Sequence, residues 1–144
     1  RRGMFSVTDM EKMTDFQSYP DAAKYGFATP AFGAISVANS ALDYVNRVGI
    51  TNIEAHTVPL AHKMREQLVE VGFNCDTPEG NRSSFVTFYH GKDPAKVKAR
   101  YDNENIKVTY KHGGTKIRVG AALYNNLADI EHFNAVTADI AKIG

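Results

Sequence analysis

Two places in this 144-residue chain carry side chains whose type and setting could hold an anion. The first is Arg118. In Lys116-Ile117-Arg118-Val119-Gly120-Ala121 a period of two puts Ile117, Val119 and Ala121 on one strand face. Lys116, Arg118 and Gly120 share the other. A planar guanidinium meets a carboxylate through two parallel hydrogen bonds, and the small Gly120 leaves room for a ligand. The plain alternative is a solvated strand face, which the alternation alone favours. The second place is Ala28-Thr29-Pro30, just ahead of a helical pattern. Thr29 as N-cap with Pro30 at the first helical position explains it simply. The alternative is a hydroxyl and nearby amides meeting a phosphate.

Other chemistry is poorly supported. His56, His62, His90, His112 and His132 are scattered. His56 and His62 lie on different sides of one helix, which excludes the usual one-turn metal pair, so surface or half-buried histidines are expected. Cys75 is the single cysteine, with no CxxC partner, and reads as a structural thiol in a reducing, cytoplasmic setting. No glycine loop of the P-loop or dinucleotide type occurs. The formal net charge is +1 with no long run of one sign, which argues against a nucleic-acid or membrane-surface role. The apolar stretches fall far short of a bilayer span.

The elements that must position Arg118 and Thr29 follow from periodicity. Residues 1–30 read as an irregular arm, with at most a short strand near Phe5–Val7. From Ala31, the residues Ile35, Ala38, Leu42 and Val45 make one helical stripe that Gly49 ends. Thr51 and Glu54 form a capping-box pattern for a second helix, to about Val71. Its inner side is Ile53, Leu60, Met64, Leu68 and Val71, and Pro59 is expected to bend or shorten it. A weak strand at 73–76 and a clear one at 84–89 follow. Asp93-Pro94 starts a short helix around Val97 and Tyr101. Strands at 106–110 and 115–123 should form a hairpin across Gly113-Gly114. Asn126, with Asp129, caps a last helix that turns Leu127, Ile130, Phe133 and Ile140 inward. The expected class is α+β: a small, largely antiparallel sheet with helices packed on one face. The expected division is an arm, 1–30, and a domain, 31–144.

Set in this order, the segments resemble the class V aminotransferases, the family of cysteine desulfurases, selenocysteine lyases and isopenicillin N epimerase-like proteins. Lys24-Tyr25-Gly26-Phe27-Ala28-Thr29-Pro30 is similar to the family's Arg-Phe-Glu-x-Gly-Thr-Pro segment. The stretches Ala41-Leu42-Asp43-Tyr44 and Gly49-Ile50-Thr51-Asn52-Ile53-Glu54 resemble its next two helices. Ile117-Arg118-Val119 and Leu123-Tyr124-Asn125-Asn126 resemble its final strand and Tyr-Asn-Thr signature. The likeness covers nearly the whole chain. Order and spacing carry it, since no single motif is highly specific.

The resemblance implies the C-terminal small domain of a fold type I enzyme that uses pyridoxal 5'-phosphate on an amino-acid substrate, as an aminotransferase, lyase or epimerase. It implies that Arg118 clamps the substrate carboxylate. It implies that Thr29 reaches the cofactor phosphate across a homodimer. Asn125 would be structural, and the loop with Tyr110 and His112 would lie near the site. The lysine that holds the cofactor would lie before residue 1, leaving this fragment inactive by itself. Gly26 stands where Glu is usual, Lys24 where Arg is commoner and Ala28 where Gly is usual. The short loop before Arg118 lacks the cysteine that desulfurases carry there, which disfavours that activity. A free-standing, non-catalytic α+β binding module is the competing expectation.

Overall fold

The computed structural model describes residues 19–25 and 29–143. The expected strand near Phe5–Val7 lies outside the described residues. The chain divides into two units, Arg1–Arg47 and Val48–Gly144.

In the first unit, Asp21 Oδ1 accepts from the Ala23 amide at 2.9 Å and starts a single 3-10 turn, Ala22–Tyr25. Helix α1, Phe32–Val48, follows. The Ala31 carbonyl accepts the first intrahelical bond, from the Ile35 amide at 3.0 Å. Ala31 is therefore the cap, and Thr29 and Pro30 lie outside the helix, two residues short of the expected cap and first turn. The apolar stripe is helical as its spacing requires, but Ile35 and Leu42 on it are exposed.

The second unit begins with helix α2, Ile50–Glu70. Gly49, at φ 90, separates it from α1. That left-handed backbone suits glycine and lets two helices follow each other without a loop. The Thr51–Glu54 capping box does not form, because Gly49 holds the cap position and Thr51 is already helical. Glu54 pairs instead with Arg82. The helix also runs through Pro59 unshortened. Leu60, Met64 and Leu68 are buried from its expected inner side, joined by Ala61.

The sheet has the order β1-β2-β4-β3, with strands β1 (Asn74–Cys75), β2 (Phe85–Tyr89), β3 (Thr109–Lys111) and β4 (Lys116–Gly120). Each neighbouring pair is antiparallel. β3 and β4 are shorter than the alternation suggests. Their tight link is a 3-10 turn, His112–Gly114, with Gly113 and Gly114 both at positive φ.

Helix α3, Pro94–Asn103, starts as expected: the Asp93 side chain accepts from the Ala95 and Lys96 amides. Those amides hold its carboxyl below the usual range, the Lys96 amide most. Helix α4, Leu127–Ala141, carries the full Asn126–Asp129 capping box. Leu127 is an exception to the inward pattern, being exposed at the helix's first position.

The core lies between one sheet face and α2, α3 and α4. Val86, Phe88 and Ile117 point into it from the strands, against Val97, Tyr101, Ile130, Phe133 and Ile140. Each such side chain contributes roughly 1.5–3 kcal/mol by leaving water. Tyr101 and Phe133 stack with rings 3° from parallel, and the Tyr101 hydroxyl bonds Thr137 Oγ1 at 2.9 Å. His90, 3% exposed, is a buried bracket: Nδ1 accepts from the Lys92 amide, so Nε2 donates to the Gly114 carbonyl. His56 and His62 reach the carbonyls of Asn125 and Asn81. Among the described residues no group of histidine, cysteine or carboxylate side chains could hold a metal ion.

Candidate anion site on the open sheet face

Burying Val86, Phe88 and Ile117 forces their alternate neighbours onto the opposite face. That face carries Phe85, Thr87 and Tyr89 of β2 opposite Gly120, Arg118 and Lys116 of β4. Thr109 of β3 lies on the other side of Arg118. The central residue of this face is therefore an exposed arginine flanked by two threonines.

Arg118 differs from Lys116 beside it. Lys116 is tied to Asp76, whose hydrogen bond is the main cause raising the ammonium pKa, and it also lies 4.9 Å from the Tyr89 ring centre. Arg118 makes no ion pair among the described residues. Its guanidinium carbon lies 5.5 Å from the centre of the Phe85 ring. Arg118 lines one wall of a groove of about 470 Å³ at the ends of the strands, together with Phe85, Lys107, Thr109 and Tyr124, and with Ile53 and Thr57 of α2. The lining contains two cations and no carboxylate. Such a groove suits an anion with an apolar body.

Gly120 does not leave the room that its size suggested. The Phe85 ring fills the space, and a Cβ built on Gly120 would lie 2.6 Å from two ring carbons. The ring therefore lies over the glycine and beside the guanidinium.

Tyr110 pairs with Ile117 in the sheet register and packs against the core, on the face away from Arg118. Burial raises its pKa, with Asp102 adding to the effect, and its hydroxyl has no hydrogen-bond partner among the described residues. His112 is exposed in the turn, with its ring edge-on to Tyr89 at 6.2 Å. Asn125 is a structural clasp: Oδ1 accepts from the Ala122 amide at 2.9 Å and Nδ2 donates to Asp129 at 3.2 Å. Asp129 also accepts from the Asn126 amide, and this bond first, then Asn125, lowers its pKa. The clasp fixes the turn after β4, and Tyr124 of that turn stands at the groove's rim. Thr29 belongs to the first unit and is exposed.

Sequence reasoning missed Phe85 and Lys107. The available signal for Phe85 was Gly120 inside a strand, since an interior glycine often marks a close approach.

The aminotransferase class-V profile matches residues 3–133 of this chain. No curated protein matches it. Among solved structures, the cysteine desulfurase of Thermococcus onnurineus NA1 superposes with a TM-score of 0.77 at 21% identity, over 97% of this chain and 38% of that one. The cysteine desulfurase CsdA of Escherichia coli gives 0.77 at 18% identity, over 97% and 38%. An alanine–glyoxylate aminotransferase from Nostoc sp. gives 0.60 at 19% identity, over 83% and 34%. At these identities the structures show a shared fold, and the chain spans little more than a third of their length. With a family profile running through nearly all of its sequence, this chain belongs to the aminotransferase class-V family.

Proposed function

We propose that this chain is the C-terminal small domain of a larger pyridoxal phosphate enzyme acting on an amino acid, and that Arg118 binds the substrate's carboxylate. The observation that carries the reading is an arginine held at the centre of an open sheet face with no carboxylate in its groove.

The donor set on this chain suits anions. A guanidinium fork fits a carboxylate, and the exposed Thr29 hydroxyl fits a phosphate oxygen. Lys63, Lys98, Lys116 and Lys142 are each held by a carboxylate, so these four are not placed to hold the cofactor. When bound, pyridoxal phosphate supplies the electron sink for the substrate's breaking bond. Arg118 fixes one end of the amino acid, which sets the direction of the bonds at its α-carbon. Positioning of that kind lowers the barrier by several kcal/mol. Leu123 and Tyr124, both exposed, place apolar surface beside the arginine. In a homodimer Thr29 would reach the partner's cofactor.

The test begins with the coding sequence upstream of Arg1. We expect it to encode a lysine-bearing segment, and the longer protein to take up pyridoxal phosphate with a visible band that borohydride fixes to that lysine. A well-folded longer protein that shows no such band overturns the reading and favours a binding module.

A further inference from the structure

We propose that Phe85 is a positioning residue for Arg118, and that Gly120 is glycine to admit its ring. The inference rests on the carboxylate reading of Arg118 and goes one residue beyond it. A guanidinium has all its N–H groups around its edge and none on its two faces. An aromatic ring attracts it through charge and face, leaving the edge free for a carboxylate. A neighbouring carboxylate side chain would position Arg118 as well, but would consume the fork the substrate needs. Phe85 is thus the kind of partner that orients the side chain without neutralising it.

Three observations converge on this role. The guanidinium carbon lies 5.5 Å from the ring centre, within the range of a cation–π contact. Phe85 is 53% exposed on the face opposite the core, so the core of this chain does not account for a phenylalanine there. Gly120, directly across the ladder from Phe85, has no positive φ to explain it. What explains it is the ring, which a Cβ would meet at 2.6 Å. The backbone holds Phe85 in place as well: its amide donates to Ser83 Oγ at 3.1 Å, and the Ala121 amide donates to the Ser84 carbonyl at 2.9 Å.

An unstacked arginine must give up its rotamer freedom on meeting each carboxylate. Prior stacking removes part of that cost, so the ring's contribution appears as tighter carboxylate binding. A contact of this class corresponds to about a threefold effect on affinity.

The experiment is nitrogen-15 NMR of the 144-residue chain, following the Arg118 Nε–H signal, with sodium acetate as the probe and sodium chloride as the ionic-strength control. We expect a ring-current shift of that signal in the native chain and in Phe85→Tyr, lost in Phe85→Leu and in Gly120→Ala. We expect acetate to bind Phe85→Leu about threefold more weakly than the native chain, with Phe85→Tyr restoring the affinity. An Arg118 signal or an acetate affinity that Phe85→Leu leaves unchanged overturns the positioning role. An Arg118 signal that acetate does not move in the native chain overturns the carboxylate reading itself, and the two failures are read from different spectra.

Discussion

Replacing Asn125 by alanine tests whether this residue holds the turn beside the groove. The substitution removes the acceptor of the Ala122 amide, a 2.9 Å bond, and one donor to Asp129, a longer contact at 3.2 Å. The bond from His56 ends on the Asn125 backbone carbonyl and survives the change. The loss is therefore one good hydrogen bond with its donor left half-buried. An unsatisfied buried donor costs about 1–3 kcal/mol, and partial exposure of Ala122 puts the expectation at about 1–2 kcal/mol. With a urea dependence of about 1.5 kcal/mol per molar, the unfolding midpoint should fall by about 1 M. Circular dichroism during urea titration reads it directly. The same variant carries a pH signature. The carboxyl of Asp129 sits below its ordinary value of 3.8 because the Asn126 amide and then Asn125 donate to it. A depressed folded value means stability that is present above 3.8 and is lost as pH falls through the folded value. Without the Asn125 donor the folded value rises toward 3.8, so less stability is lost on acidification and the loss ends at a higher pH. A midpoint that moves by less than about 0.2 M would refute the clasp, since even a weak hydrogen bond is larger than that.

Three other outcomes follow from the packing. Tyr101→Phe should cost only about 1 kcal/mol, because Thr137 Oγ1 still donates to the Phe133 carbonyl, whereas Thr137→Val strands the tyrosine hydroxyl and should cost about 2 kcal/mol, both by urea titration. Burial pushes the Tyr101 hydroxyl far up, so ultraviolet titration should find it protonated at alkaline pH where exposed tyrosines ionise. Gly114→Ala combines φ 94 with a Cβ 2.8 Å from that of Pro94 and should cost about 3 kcal/mol, against about 1 kcal/mol for Gly91→Ala, whose added Cβ meets open space. Equal losses at the two glycines would show that α3 yields to the hairpin turn.

The order of elements was legible because helices and strands here announce themselves through periodicity. The stripe Leu60, Met64 and Leu68 and the alternation around Ile117 both reach the core as read. The caps were legible where they are local: Asp93 and Asn126 bond their own next residues. Thr51 failed for a non-local reason. The Gly49 backbone allowed the helix to begin two residues earlier, and Arg82, distant in sequence, took Glu54. The site was half legible. Alternation put Arg118 on the open face, but Phe85 enters it only through the strand register, which no local pattern gives. The resemblance put the loop with Tyr110 near the site; in the sheet Tyr110 pairs with Ile117 and packs on the core side.

The most direct test of the central claim is steady-state kinetics of the longer protein carrying this chain, with Arg118→Gln compared with the native enzyme. Losing a charge-assisted pair to the substrate carboxylate should lower kcat/KM about a hundredfold, while the lysine-bound cofactor keeps its visible band. A kcat/KM unchanged by the substitution would contradict the assignment of Arg118 to the substrate.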